Sequence, residues 1–145
     1  MSTRTIENIA SGPTGLPTDG TPGVVQSVLV SKLMAGVISG QANSLAHVCI
    51  RCYVFGGVDN PNVYSRIYDV FCAIGLDGST YLVGDVTSTQ VHQSSTSVVE
   101  PVNAPVTFTV DIDSGNFRLL GAHLGEFEAG IYVATELRSI RGTIP

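Results

Sequence analysis

Residues 101–140, PVNAPVTFTVDIDSGNFRLLGAHLGEFEAGIYVATELRSI, read as three successive β-strands separated by turn residues. In Val106, Phe108, Val110 and Ile112 apolar side chains recur at every second position, with Thr107, Thr109, Asp111 and Asp113 between them. A period of two sends the first set to a buried face and the second to solvent. Asp113-Ser114-Gly115-Asn116 combines residues that initiate turns or accept positive φ, so Phe117 to Leu120 is expected to return antiparallel to the strand before it. Beyond a Gly121 to Gly130 connection, Ile131 to Ile140 forms the third and longest strand of the block.

Working back toward the N-terminus, Val24 to Val30 and Leu33 to Ile38 read as short strands joined near Ser31-Lys32. Leu45 to Phe55 is a long strand with Ala46, Val48, Ile50, Cys52 and Val54 on one face and His47, Cys49, Arg51 and Tyr53 on the other. A hairpin at Gly56 to Asn62 leads to a returning strand, Tyr64 to Ile74. Centring that hairpin between residues 59 and 60 places Val48 opposite Phe71, Cys52 opposite Ile67 and His47 opposite Cys72, and sets Arg51 beside Tyr68 and Tyr53 beside Arg66. Asp69 then falls on the apolar face, a misfit that either a place at the sheet margin or a shift of one residue would remove. Asp77-Gly78 turns the chain toward Tyr81 and Val83, the polar run Thr87 to Thr96 reads as a surface loop, and Ser97 to Glu100 as a weak strand. About seven to nine short strands at such spacings, with no helical repeat, predict an all-β, antiparallel, jelly-roll-like β-sandwich over residues 24–145.

Residues 1–23, MSTRTIENIASGPTGLPTDGTPG, show no periodicity, and Pro13, Pro17 and Pro22 bias their predecessors away from helix. The segment is expected to be an extended arm, flexible unless a neighbouring subunit orders it. Thr5, Ile6, Ile9, Pro13, Leu16, Pro17 and Pro22 are its candidate partner-binding residues.

Only 13% of residues are charged while 43% are apolar, against a usual charged share of about 25%. A surface so poor in charge suits protein contact better than life as a solitary monomer. The net charge is −5 and the arginines are scattered at positions 4, 51, 66, 118, 138 and 141, whereas phosphate-backbone binding needs clustered cations. Nucleic acid is not an expected partner. Nor is a membrane, because no apolar run approaches ~18 residues, and the N-terminus lacks the pattern of a secretory signal.

Cys49, Cys52 and Cys72 are too few and too odd in number for a disulfide framework. Cys49-Ile50-Arg51-Cys52 matches C-x-x-C, but within a strand residues three apart point to opposite faces. His47, Cys49 and Cys72 would supply a partial zinc set in the register above, without a fourth ligand. Asp111, Asp113 and Asn116 resemble part of a calcium loop, without its distal bidentate Glu. G-x-S-x-G, H-E-x-x-H and the Walker glycine loop are absent, and His92 and His123 read as solvated loop histidines. Neither catalysis nor a cofactor is expected. With no tryptophan and few loop aromatics, a glycan site in the loops is weakly supported, although neighbouring subunits could share one.

From about Ser44 to Arg141 the order of features resembles a β-sandwich module of tailed-bacteriophage virion proteins. The corresponding stretches are Tyr68 to Ile74, Tyr81-Leu82-Val83-Gly84, Asn116-Phe117-Arg118-Leu119-Leu120-Gly121 and Gly130 to Leu137. Tyr132 stands where that pattern usually has Trp, a position from which Tyr can still anchor a core, and Glu126 and Glu128 make the preceding connection acidic. The resemblance implies a structural virion protein, made in the host cytoplasm and generally acting as a trimer. Combined with the arm and the charge-poor surface, it leads to the expectation of a capsid decoration (cement) protein that stabilises the head. On that reading the arm lies across the major capsid protein. The alternative is a tail-fibre or baseplate module that binds a host glycan or another tail protein.

Overall fold

The computed structural model describes residues 4–17, 19–33, 44–57, 63–77, 80–84, 86–95, 106–123 and 131–143. Among these the elements run β1 (Arg4–Gly15), β2 (Gly23–Leu29), α1 (Val30–Leu33), β3 (Ser44–Gly57), β4 (Val63–Asp77), β5 (Thr80–Val83), β6 (Thr87–Ser95), β7 (Val106–Asp113), β8 (Asn116–His123) and β9 (Ile131–Thr143). Six strands make the larger sheet, ordered β1-β9-β3-β4 with both β5 and β6 along the far edge of β4, and three make the smaller, β2-β8-β7. Every pairing is antiparallel. The expected all-β fold is what forms.

The β7–β8 hairpin follows its alternation. Val106 and Phe108 are buried, Val110 and Ile112 pack at the core margin, and Thr107 and Thr109 face solvent. Ser114 (φ 51°) and Gly115 (φ 79°) occupy two successive left-handed positions, the backbone that a two-residue hairpin turn requires. The third strand of the block does not continue the meander. β9 crosses to the larger sheet and inserts between β1 and β3, where its alternating Ile131, Val133 and Leu137 face the core. With β1 beside β9 and β2 beside β8, the chain crosses between sheets in the same way at both ends, the jelly-roll-like part of the topology.

The inner faces of the sheets share one core. Ala46, Val48, Ile50, Cys52 and Val54 of β3 and Val70 and Ile74 of β4 meet Phe117, Leu119 and Phe108 of the smaller sheet, and the rings of Tyr68 and Phe108 touch edge to face, centroids 5.4 Å apart. A bulge in β2 between Val24 and Gln26 turns the consecutive residues Val25 and Gln26 both inward.

Three sequence expectations are corrected here. Residues 4–15 are not a free arm: they pair with β9 from Arg4↔Gly142 to Gly15↔Tyr132. Backbone hydrogen bonds place them there without a strict alternation, and Leu16 continues the attachment by burying its side chain and donating its N–H to Ile131 O at 2.8 Å. Thr87–Ser95 is strand β6 along β4 rather than a loop; at a sheet edge, Ser, Thr and Gln cost little. Leu33 ends the short helix α1 instead of starting a strand. Residues 34–38 and Ser97 to Glu100 lie outside the described residues.

Gly12 is where β1 departs from regularity. The register shifts between Ser11 and Thr14, Gly12 has φ +94°, and a Cβ on it would stand 2.7 Å from Val133 O. Gly12→Ala is therefore strained in both backbone and contact, and is expected to cost about 1–3 kcal/mol and to loosen β1. Limited proteolysis checks this: cleavage within residues 4–15 should accelerate several-fold over the unaltered chain.

Candidate binding face

The β3–β4 pairing runs Ala46↔Ile74, Val48↔Cys72, Ile50↔Val70, Arg51↔Asp69 and Cys52↔Tyr68. Each β3 residue pairs with the β4 residue one position later than the sequence predicts, which moves every β4 side chain to the other face. Tyr68, Val70, Cys72 and Ile74 go to the core, and Ile67, Asp69, Phe71 and Ala73 to the outside. The expected Arg51–Tyr68 and Tyr53–Arg66 neighbours are replaced by Arg51–Asp69 and Tyr53–Ile67. His47 and Cys49 stay on the outer face while Cys72 turns inward, so the partial zinc set is split. Burial pushes the Cys52 thiol up to about 12 and the Cys72 thiol to about 11, the character of small core hydrophobes.

This register builds rows of side chains across the outer face of the larger sheet. Glu136 of β9, Arg51 of β3 and Asp69 of β4 form one row, with Ala10 of β1 and Thr89 of β6 at its ends. Arg51 donates from Nε to Asp69 Oδ1 at 2.9 Å and from Nη2 to Oδ2 at 3.0 Å, a bidentate pair, and Tyr53 Oη donates to Glu136 Oε2 at 3.4 Å. Toward the start of β9, Tyr132 and Phe55 stack with centroids 6.1 Å apart and planes 20° from parallel. Toward its end stand Arg138, Cys49 and Phe71, then Ile140 and His47. Tyr132 is thus 45% exposed on this face and does not anchor the core. Asn8, Arg51, Tyr53, Asp69, Glu136 and Arg138 line a shallow groove of about 580 Å³ in the middle of the face.

The two guanidinium hydrogen bonds from Arg51 hold the Asp69 carboxyl below the ordinary carboxylate range, so Asp69 is an ionised acceptor and not a proton donor at neutral pH. Arg118 does the same for Asp111 through bonds of 2.8 and 2.6 Å, and also approaches Asp113 at 3.5 Å. The carboxylates that resembled a calcium loop are paired with Arg118 across the β7–β8 hairpin. Asn116 donates instead to Ser114 O at 3.5 Å. Because both carboxyls titrate lower in the folded chain than the ordinary ~3.9, their contribution is fully present above that value and is lost as pH falls through the folded pKa values. The melting temperature should hold from pH ~7 to ~5 and fall below ~4, and Asp69→Asn should make that fall shallower. Arg51 and Asp111 are well exposed, so solvent screens each pair and its contribution to stability is small.

The candidate partner residues of the N-terminal segment fall in different places. Ile9 packs at the core margin, Leu16 is buried, Pro17 is half-buried, and Pro13 and Pro22 are exposed. Thr5 and Ile6 pair through β1 with Arg141 and Ile140. His123 is the buried last residue of β8, not a solvated loop residue. The sequence groups the β3 members of this face, His47, Cys49, Arg51 and Tyr53; its β4 members are hidden by the one-residue register, of which the misfit of Asp69 is the signal, and its β9 members by their distance in the chain.

The fold and face define a two-sheet antiparallel β domain with an aromatic and charged outer surface. No family model matches the chain, and no curated protein matches it. Among solved structures, it is similar to the tailspike protein of Acinetobacter baumannii phage AM24, with a TM-score of 0.45 and 8% identity over 98% of this chain and 26% of that one. It is also similar to the tailspike protein of Acinetobacter phage vB_ApiP_P1, with a TM-score of 0.40 and 16% identity over 95% of this chain and 22% of that one. The chain spans about a quarter of the length of each.

Proposed function

We propose that this chain is a structural virion protein of a tailed phage, a capsid decoration protein that binds the assembled head as a trimer and stabilises it. The observation that carries the reading is a two-sheet domain whose larger sheet keeps aromatic, apolar and paired charged side chains in solvent, in a chain with only 13% charged residues. Such a surface serves burial against protein. The order of strands and turns from Ser44 to Arg141 supports the phage assignment. With β1 committed to β9, contact with a major capsid protein falls to the free edge of β1 and to exposed Pro13 and Pro22, not to a loose arm.

A tail module that binds a host glycan is the second reading, favoured by the groove beside Tyr53, Arg51 and Glu136, where an aromatic ring and planar polar groups stand together. Co-sedimentation with expanded, undecorated heads separates the two. Saturable binding to heads is expected; binding to host cells or their polysaccharide, with none to heads, would replace the first reading by the second.

A further inference from the structure

We infer that the outer face of the larger sheet is the surface through which copies of this chain meet one another. The inference rests on the assembly reading above and adds the surface that assembly uses. Phe55 and Tyr132 toward one end of this face and Phe71 and Ile140 toward the other are all large and apolar, and each is at least 36% exposed. Scattered exposed apolar residues are ordinary, but a group of them on one sheet face marks an interface.

Charge selects the occupant. The chain carries −5, so two copies repel over most of their surface. In the middle of this face the charged residues are Arg51, Arg138, Asp69 and Glu136, which sum to zero. On the smaller sheet, Asp111 and Asp113 outnumber Arg118. A second copy therefore meets least repulsion at the larger sheet, where alternating acid and base offer it complements. The size also fits: five strands ~4.8 Å apart and about nine residues at ~3.3 Å give roughly 700 Å², close to the ~800 Å² that each partner buries in a standard stable interface.

The test is the solution mass of the full chain, of Phe71→Glu and Arg51→Glu on the face, and of Thr109→Glu on exposed β7 as a control. The unaltered chain and the control should run near three times 15.2 kDa, and both face variants should run as monomers with an unchanged β circular dichroism spectrum. An oligomer that survives both face substitutions overturns the choice of face and leaves the assembly reading standing. An unaltered chain that is monomeric at every concentration overturns both. Should the variants misfold, Cys49, half-buried in the middle of the face, reports in the unaltered chain. Its labelling by a maleimide should be at least ten-fold slower in the oligomer than after dilution to monomer, and equal rates would assign the face to another partner.

Discussion

Removing residues 1–15 is expected to destabilise the whole domain rather than trim a loose end. β1 covers one side of β9 along most of its length, and Ile9 closes the core beside Leu137. If about 120 Å² of apolar surface returns to water, the loss is roughly 3 kcal/mol, a melting temperature lower by about 10 °C for a domain of this size. The deletion also exposes β9 as a long unpaired edge, which invites aggregation. Thermal unfolding followed by circular dichroism, with light scattering on the same sample, checks both effects. A truncated chain that melts with the unaltered one and stays clear would mean that β1 is not part of the folded unit.

Phe117→Ala should have the largest effect of any single substitution considered. Phe117 is 0% exposed, is the second residue of β8, and belongs to the core shared by the two sheets. Truncating a buried Phe removes transfer free energy and leaves a cavity that the neighbours fill only in part, about 3–5 kcal/mol. Chemical denaturation should show that loss as a lower midpoint with an unchanged slope. Thr109→Ala, on the exposed side of β7, should stay within about 0.5 kcal/mol.

How much of this was legible in the sequence depended on whether a strand had one wet face. β3, β7 and β8 did, and their alternation names the core side chains that the fold buries. β1 and β6 did not alternate. Their placement comes from backbone pairing at the flanks of the larger sheet, which leaves little mark on side-chain type. The β3–β4 register failed by one residue because several pairings stacked apolar on apolar equally well. Only Asp69 discriminated among them, and its partner Arg51 lies on the other strand of the hairpin. The candidate face inherited that error: with β4 flipped, Phe71 is counted as core and the Glu136, Arg51, Asp69 row does not exist. The crossing of β9 to the larger sheet was hidden for another reason, since alternation gives a strand a buried face but does not say which sheet it joins.

The central claim is that this chain cements a virus head, and calorimetry of expanded, undecorated heads with and without it tests that claim most directly. A ligand that binds only the assembled state raises its melting temperature by mass action, to the extent that its concentration exceeds the dissociation constant. The account predicts a head transition that moves upward with added chain and saturates at a fixed number of copies per head. A transition that stays in place at saturating concentration would contradict it.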